Sequence, residues 1–242
     1  MLEEYITVFM GTTHSRMFRI QSMATELFYK MVTTHTAVQS DQEHVRMILL
    51  SDTSMPDRTA AIINGDSQRI REQMLQDALF LQDSGCRALA VTCNTAHFFI
   101  DSIENALDIP VIHMIRETAL EMSVLYPEGK IGVMATQGTI ETGLYQQALS
   151  ACGLKPYIPK TSIQKEIMYQ IYERIKAGKF YDAERFRLIE EDFRNAGCDC
   201  VLLACTELSV IREQEHLNNW FTDPMEILAK KVILFAGKEY KE

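Results

Sequence analysis

The sequence predicts an α/β protein made of two similar units, each a parallel sheet with helices on both faces. Three observations carry this. Apolar, β-rich runs alternate with longer segments of helical period. Gly85, Gly153, Gly178 and Gly197 each follow a helical stretch, where a left-handed residue ends the helix. A block of strand, cysteine and helix occurs twice. Alternating βα units imply parallel strands covered on both sides.

The elements follow in order. Strands are predicted at 5–10, 45–50, 88–92, 110–113, 131–134, 156–158, 200–204 and 220–222. Each is a short run rich in Val, Ile, Leu or aromatic residues. Helices are predicted at 23–36, 67–84, 95–107, 116–125, 140–151, 162–177, 181–195 and 224–235. The repeat pairs LQDSGCRALAVTCNT with FRNAGCDCVLLACTE. Gly85-Cys86 matches Gly197-Cys198, and after six further residues Cys93 matches Cys205. Downstream, IPVIHMIRETA matches WFTDPMEILA, each a strand running into a helix. Upstream, Ile131–Thr139 resembles Ile6–Thr13, again in both copies before the cysteine strand.

Composition excludes several functions. The chain has 242 residues, with 24 Lys+Arg against 33 Asp+Glu and a net charge of −9. An acidic surface argues against nucleic acid or an anionic membrane as partner. With 47% hydrophobic residues the chain can fold, and a chain of this size buries about 70% of its surface. The longest apolar runs, such as Ile48-Leu49-Leu50, are far too short to span a bilayer. The start, MLEEYITVFM, reads without the basic end and long apolar stretch of an export signal. Six cysteines in such a chain point to a reducing cytoplasmic setting. Cys86, Cys152, Cys198 and Cys200 read as small buried hydrophobes. Without a C-x-x-C, and with Cys200 and Cys205 bounding the apolar run CVLLAC, no metal site is read. The 13 methionines read as core filler. Neither a Walker loop nor G-x-G-x-x-G is present, so nucleotide binding has no support.

Cys93 and Cys205 are different. Each falls just past a predicted strand and before a helix start, where ligands of open parallel sheets bind and backbone N–H groups attract anions. If the two units face each other, two thiols meet across one cleft. Inverting a carbon stereocentre needs one group to remove a proton from one face and another to return a proton to the opposite face. One thiolate and one thiol can do this, and helix N-termini favour the thiolate. A small anionic substrate would need cations, and arginine grips a carboxylate bidentately.

VTCNTAHFF, LLACTEL, PDRTAAI (56–62), IGVMATQGT and QKEIMYQIYERIKAGK (164–179) together resemble the cofactor-independent aspartate/glutamate racemase family over residues 23–236. The resemblance implies two pseudo-symmetric parallel-sheet α/β domains with the active site in the cleft between them. It sets the first domain at 1–115 with 213–242 and the second at 116–212. It implies an isomerase that racemises aspartate and/or glutamate without cofactor, and a homodimer. Residue by residue, it implies an acid/base pair at Cys93 and Cys205. Substrate contacts fall on Asn94, Thr95, Thr136, Thr206 and Glu207, partly through backbone amides. It also implies carboxylate-binding cations at Arg58 and Lys165. One segment departs from the family. SRMFRIQS (15–22) stands where a glycine-rich loop usually precedes the MATELFYKM-like helix. Such a loop lets backbone approach a ligand where a Cβ would clash.

Alternatives remain at this point: an isomerase or decarboxylase of related small dicarboxylates, and a non-catalytic amino-acid-binding module. His97, four residues after Cys93, reads mainly as a packed helix-face histidine. His113 reads as a core or rim residue, and Glu207 as either a partner of Cys205 or a helix cap.

Overall fold

A computed structural model describes residues 5–11, 20–52 and 54–242, with residues 5–11 and 20–23 described by their backbone. Most of the atypical 15–22 segment, and Thr12 and Thr13 of the upstream repeat, lie outside the described residues. Two four-stranded parallel sheets share one plan. The first contains β1 (Tyr5–Gly11), β2 (Met47–Asp52), β3 (Cys86–Val91) and β4 (Val111–Ile112), in the order β2-β1-β3-β4. The second contains β5 (Lys130–Ala135), β6 (Lys155–Tyr157), β7 (Cys200–Ala204) and β8 (Phe221–Thr222), in the order β6-β5-β7-β8. In each, the unit's first strand pairs with its second and third, and the fourth adds at the edge beyond the third. The duplication read from the sequence is thus a duplication of topology, and every predicted strand is present.

The central strands β3, β5 and β7 are buried on both faces, as parallel strands under helices must be. Along β7, Cys200, Leu202 and Ala204 face one core while Val201 and Leu203 face another, the period-two alternation of a strand. Along β3, Leu89 and Val91 oppose Ala88 and Ala90 in the same way. The core that takes Ala88, Ala90, Val201 and Leu203 also holds Phe28, Val32, Met134, Leu228 and Val232, so it is continuous through both sheets. Each such aliphatic or aromatic side chain contributes about 1.5–3 kcal/mol by leaving water.

Among the described residues, eleven α-helices run between and after the strands: α1 (Ile20–His35), α2 (Arg58–Asn64), α3 (Gln68–Asp83), α4 (His97–Ile103), α5 (Met114–Leu125), α6 (Gln137–Thr142), α7 (Leu144–Ala151), α8 (Thr161–Met168), α9 (Ala183–Asn195), α10 (Thr206–Glu215) and α11 (Pro224–Phe235). Three differences from the predicted elements matter. The helix expected over 140–151 is two, because Gly143 sits at φ 69° and ends α6. The helix expected over 162–177 leaves α geometry after Met168 and continues as a π-helix through Tyr169–Ile175. No helix is predicted over 58–64 or 206–215, where α2 and α10 stand. The chain's end returns to α1. Helix α11 packs on both α1 and α5, the amide of Ala37 bonds the Glu239 carbonyl at 2.9 Å, and that of Lys241 bonds the His35 carbonyl at 2.8 Å.

Candidate active site

The carboxyl ends of the strands carry the residues that the repeat singles out. Asp57 opens α2 as its N-cap, with Oδ1 accepting from the Ala60 amide at 2.8 Å. Arg58 follows in the first helical position. A cation there opposes the helix dipole, yet the side chain is only 8% exposed. Its Nη1 donates to the Pro56 carbonyl at 3.2 Å and its Nη2 points at the Cys93 sulfur at 3.5 Å, while Nε is buried without a partner. Burial works against the Arg58 charge, but the Cys93 sulfur, Asp57 and Glu207 outweigh it and hold the guanidinium above its ordinary pKa.

Cys93 lies two residues past β3, partly exposed. Its carbonyl accepts from His97 Nδ1 at 2.9 Å, and His97 Nε2 accepts from the Met114 amide at 3.2 Å. An amide N–H can only donate, so the ring proton sits on Nδ1. Asn94 receives the hydroxyl of the fully buried Tyr145 on Oδ1 at 2.5 Å. Thr95 joins a knot of buried hydroxyls with Thr59, Thr136 and Thr139, at 2.8–3.2 Å. Thr59 and Thr95 come from the first unit, Thr136 and Thr139 from the second. Thr136 also caps α6 through the Thr139 amide. Gly138 makes the approach possible, because a Cβ there would lie 2.9 Å from the Thr59 Cα.

Cys205 lies one residue past β7 and is buried. Its thiol donates to Glu207 Oε2 at 2.9 Å, and the Thr206 hydroxyl donates to the same oxygen at 3.3 Å. Burial first, and then the neighbouring carboxylate, push the Cys205 thiol well above its ordinary pKa, with Lys176 opposing. Lys176 Nζ lies 3.8 Å from Glu207 Oε1, 3.8 Å from Asp57 Oδ2 and 4.2 Å from the centre of the Tyr172 ring. Tyr172 donates its hydroxyl to Asp57 Oδ2 at 3.3 Å. Although burial opposes its charge, Glu207, Tyr172, Cys205 and Asp57 hold Lys176 above its ordinary pKa. The result is a string of alternating charge from Arg58 through its neighbour Asp57 and Lys176 to Glu207, with the Cys93 sulfur beside one end and the Cys205 sulfur beside the other.

The structure therefore gathers Arg58, Cys93, Asn94, Thr95, Thr136, Cys205, Thr206 and Glu207 at the strand ends. It does not bring Lys165 there. That residue is exposed on α8, beside buried Gln164, whose Nε2 donates to the Ala135 carbonyl at 2.9 Å. Lys176 lies there instead, beside Asp57 and Glu207. Eleven residues are close to three turns of an α-helix, so pattern alone puts Lys165 and Lys176 on one face. The π turns between them break that phase, a distortion frequent at functional sites. A further fixed point is Gln170, whose amide donates to the Asp182 carbonyl at 2.6 Å and accepts from the Asp182 amide at 2.8 Å. Tyr172, Tyr145, Thr59 and Thr139 were also missed. Tyr172 and Lys176 stand in the 164–179 segment, Thr59 in PDRTAAI and Thr139 in IGVMATQGT, all motifs that the sequence singled out; Tyr145 stands in none of them.

A family model described as Asp/Glu/hydantoin racemase matches residues 19–232. The chain belongs to the Asp/Glu/hydantoin racemase family. Membership in this racemase family supports an amino-acid racemase activity, which is an isomerisation. Among curated relatives, the broad specificity amino-acid racemase RacX of Bacillus subtilis is 28% identical over 171 residues, 69% of this chain and 73% of that protein. A glutamate racemase of Persephonella marina is 27% identical over 173 residues, 64% of this chain and 61% of that protein. Among solved structures, an aspartate racemase of Picrophilus torridus superposes with a TM-score of 0.78 at 25% identity, covering 98% of this chain and 96% of that one. The glutamate racemase isoform RacE1 of Bacillus anthracis shares the fold at a TM-score of 0.66 and 18% identity, covering 96% of this chain and 81% of that one. Among the described residues of this family member, no group of three or more His, Cys, Asp or Glu side chains could hold a metal ion. No helix among them is long and apolar enough to cross a membrane.

Proposed function

We propose that this protein racemises a small acidic amino acid, aspartate and/or glutamate, by proton transfer between Cys93 and Cys205 without a cofactor. The observation that carries the reading is the opposite partnership of the two sulfurs. Cys93 faces a guanidinium, and Cys205 faces a carboxylate that accepts a hydrogen bond from its thiol. A negative sulfur is compensated at the first position and a protonated one is favoured at the second. These are the two states that a two-base inversion needs at its start.

In the forward direction the Cys93 thiolate removes the α-proton from one face of the substrate, and the C–H electron pair stays on the α-carbon. The Cys205 thiol then gives its proton to the opposite face. The reverse direction exchanges the roles. Arg58 and Lys176 supply positive charge for the substrate's carboxylates, with Arg58 Nε free to donate. Lys165, exposed on α8, has no part in this reading. Backbone amides after the strand ends, at Asn94, Thr95, Thr136, Thr206 and Glu207, are the donors for charge that develops on the carboxylate in the transition state. Preorganised donors of this kind contribute about 3–4 kcal/mol each. The return of the chain's end to α1 supports a first domain of 1–115 with 213–242 and a second of 116–212. A second copy of the chain completes a homodimer. Leu120 and Val124, exposed on one stripe of α5, support that pairing.

The test is incubation with L-aspartate and L-glutamate in D2O, followed by chiral and mass analysis. Inverted product carrying deuterium at the α-carbon is expected. Tight binding without deuterium uptake would make the protein an amino-acid-binding module. A product that has lost a carboxyl group would make it a decarboxylase.

A further inference from the structure

The repeat that matches Cys93 with Cys205 also matches His97 with Ser209, one helical turn on, and His113 with Asp223, which directly follow the fourth strands. The matched residues do matched work. His113 caps α5, its Nδ1 accepting from the Arg116 amide at 3.2 Å, and Asp223 caps α11, its Oδ1 accepting from the Met225 amide at 2.9 Å. Ser209 donates its hydroxyl to Asp223 at 2.9 Å. The His97 ring stands edge-on to that of His113, centroids 4.5 Å apart, and accepts from Met114.

The two sides differ in how the cysteine carbonyl is held. Helix α10 begins directly after Cys205, so the Cys205 carbonyl accepts main-chain bonds from Leu208 at 2.9 Å and Ser209 at 3.4 Å. Helix α4 begins only at His97, and the His97 amide bonds Asn94 instead. The Cys93 carbonyl therefore has the Ala96 amide at 3.2 Å and, in place of a further amide, the His97 ring. We infer that His97 is a positioning residue for Cys93. Its Nδ1–H, fixed by the Met114 amide on the other nitrogen, replaces the helical N–H that Cys205 receives from Ser209. The ring thereby keeps the Cys93 sulfur at Arg58. Burial lowers the His97 pKa to about 4, so the ring stays neutral and the tautomer holds near neutral pH; His113, Arg116 and Asp101 are the ionisable neighbours.

The role of Cys93 rests on the proposed function, so the test has one readout that does not. Rates of alkylation by iodoacetamide are measured at Cys93 and at Cys205, peptide by peptide, in the wild type and in His97→Asn, His97→Gln and His97→Ala. Asn places a donor where Nδ1 stands, and Gln places its amide where Nε2 stands. Alkylation of Cys93 should fall by about tenfold or more in His97→Ala and His97→Gln, return in His97→Asn, and stay unchanged throughout at Cys205. Equal changes at both cysteines, no change at Cys93, or rescue by Gln in place of Asn would overturn the inference. Exchange of the substrate α-proton is then followed in the same variants on a Cys205→Ala background, where the same order of loss and rescue is expected. The alkylation pattern without any exchange, in a wild type that does not racemise, would uphold the positioning role and overturn the racemase reading.

Discussion

The two strand ends that carry Cys93 and Cys205 share a backbone plan and differ in nearly everything that touches sulfur. Cys93 is partly exposed, follows its strand by two residues and looks at a cation. Cys205 is buried, follows its strand by one residue and donates a hydrogen bond to a carboxylate. A duplicated fold supplies two equivalent positions, but a reaction that starts with one base and one acid needs them to be inequivalent. The asymmetry resides in the side chains around each sulfur: Arg58 and His97 on one side, Glu207 and Lys176 on the other.

The strongest way to break this comparison is to remove each sulfur in turn. Cys93→Ala and Cys205→Ala should each lower racemisation by about a thousandfold or more, while each still exchanges the α-proton of one enantiomer, and of opposite enantiomers. If both variants exchange the same enantiomer, the two thiols do not work on opposite faces. Next in size is the cation. Arg58→Ala should lower kcat/KM by about a hundredfold to a thousandfold in a chiral assay, and Arg58→Lys should recover little, because lysine lacks the planar fork.

The smallest expected effect concerns stability and runs in opposite directions on the two sides. Burial lowers the His97 pKa from 6.5 to about 4. Its contribution is complete above pH 6.5 and is lost as pH falls through about 4, a change of order 3 kcal/mol. Burial raises the Asp223 pKa from 3.8 to about 6, against the Met225 and Ser209 hydrogen bonds. Its contribution is complete below pH 3.8 and is lost as pH rises through about 6. Denaturant titrations at pH 5 and pH 8 should therefore show a smaller acid loss in His97→Asn than in the wild type. Asp223→Asn should gain about 1–2 kcal/mol relative to the wild type at pH 8 and little at pH 5. The same pH response in both variants would show that these buried groups do not set it.

Much of the fold was legible because its signals are local. Short continuous apolar runs and terminal glycines mark β3, β7 and the helices before them without reference to distant residues. The elements without a predicted range are the ones that shape the site. Helix α2 is seven residues long, too short for a periodic signal. In α10 Leu208, Ser209, Val210 and Ile211 are all buried, so the amphipathic stripe that betrays a surface helix is absent. Gly143 was visible in the sequence, but its positive φ depends on how α6 and α7 pack.

By itself the sequence determined a duplicated βα plan and set a cysteine at the matching strand end of each copy, since short apolar runs and helix stops act between near neighbours. The tertiary structure decided which charges meet those cysteines. Arg58 reaches Cys93 across 35 positions, and Lys176 rather than Lys165 lies between Asp57 and Glu207. Those choices depend on helix phase, on the π turns after α8 and on contacts between units far apart in the chain. No local pattern encodes them, because Coulomb and hydrogen-bond energies depend on distance in space.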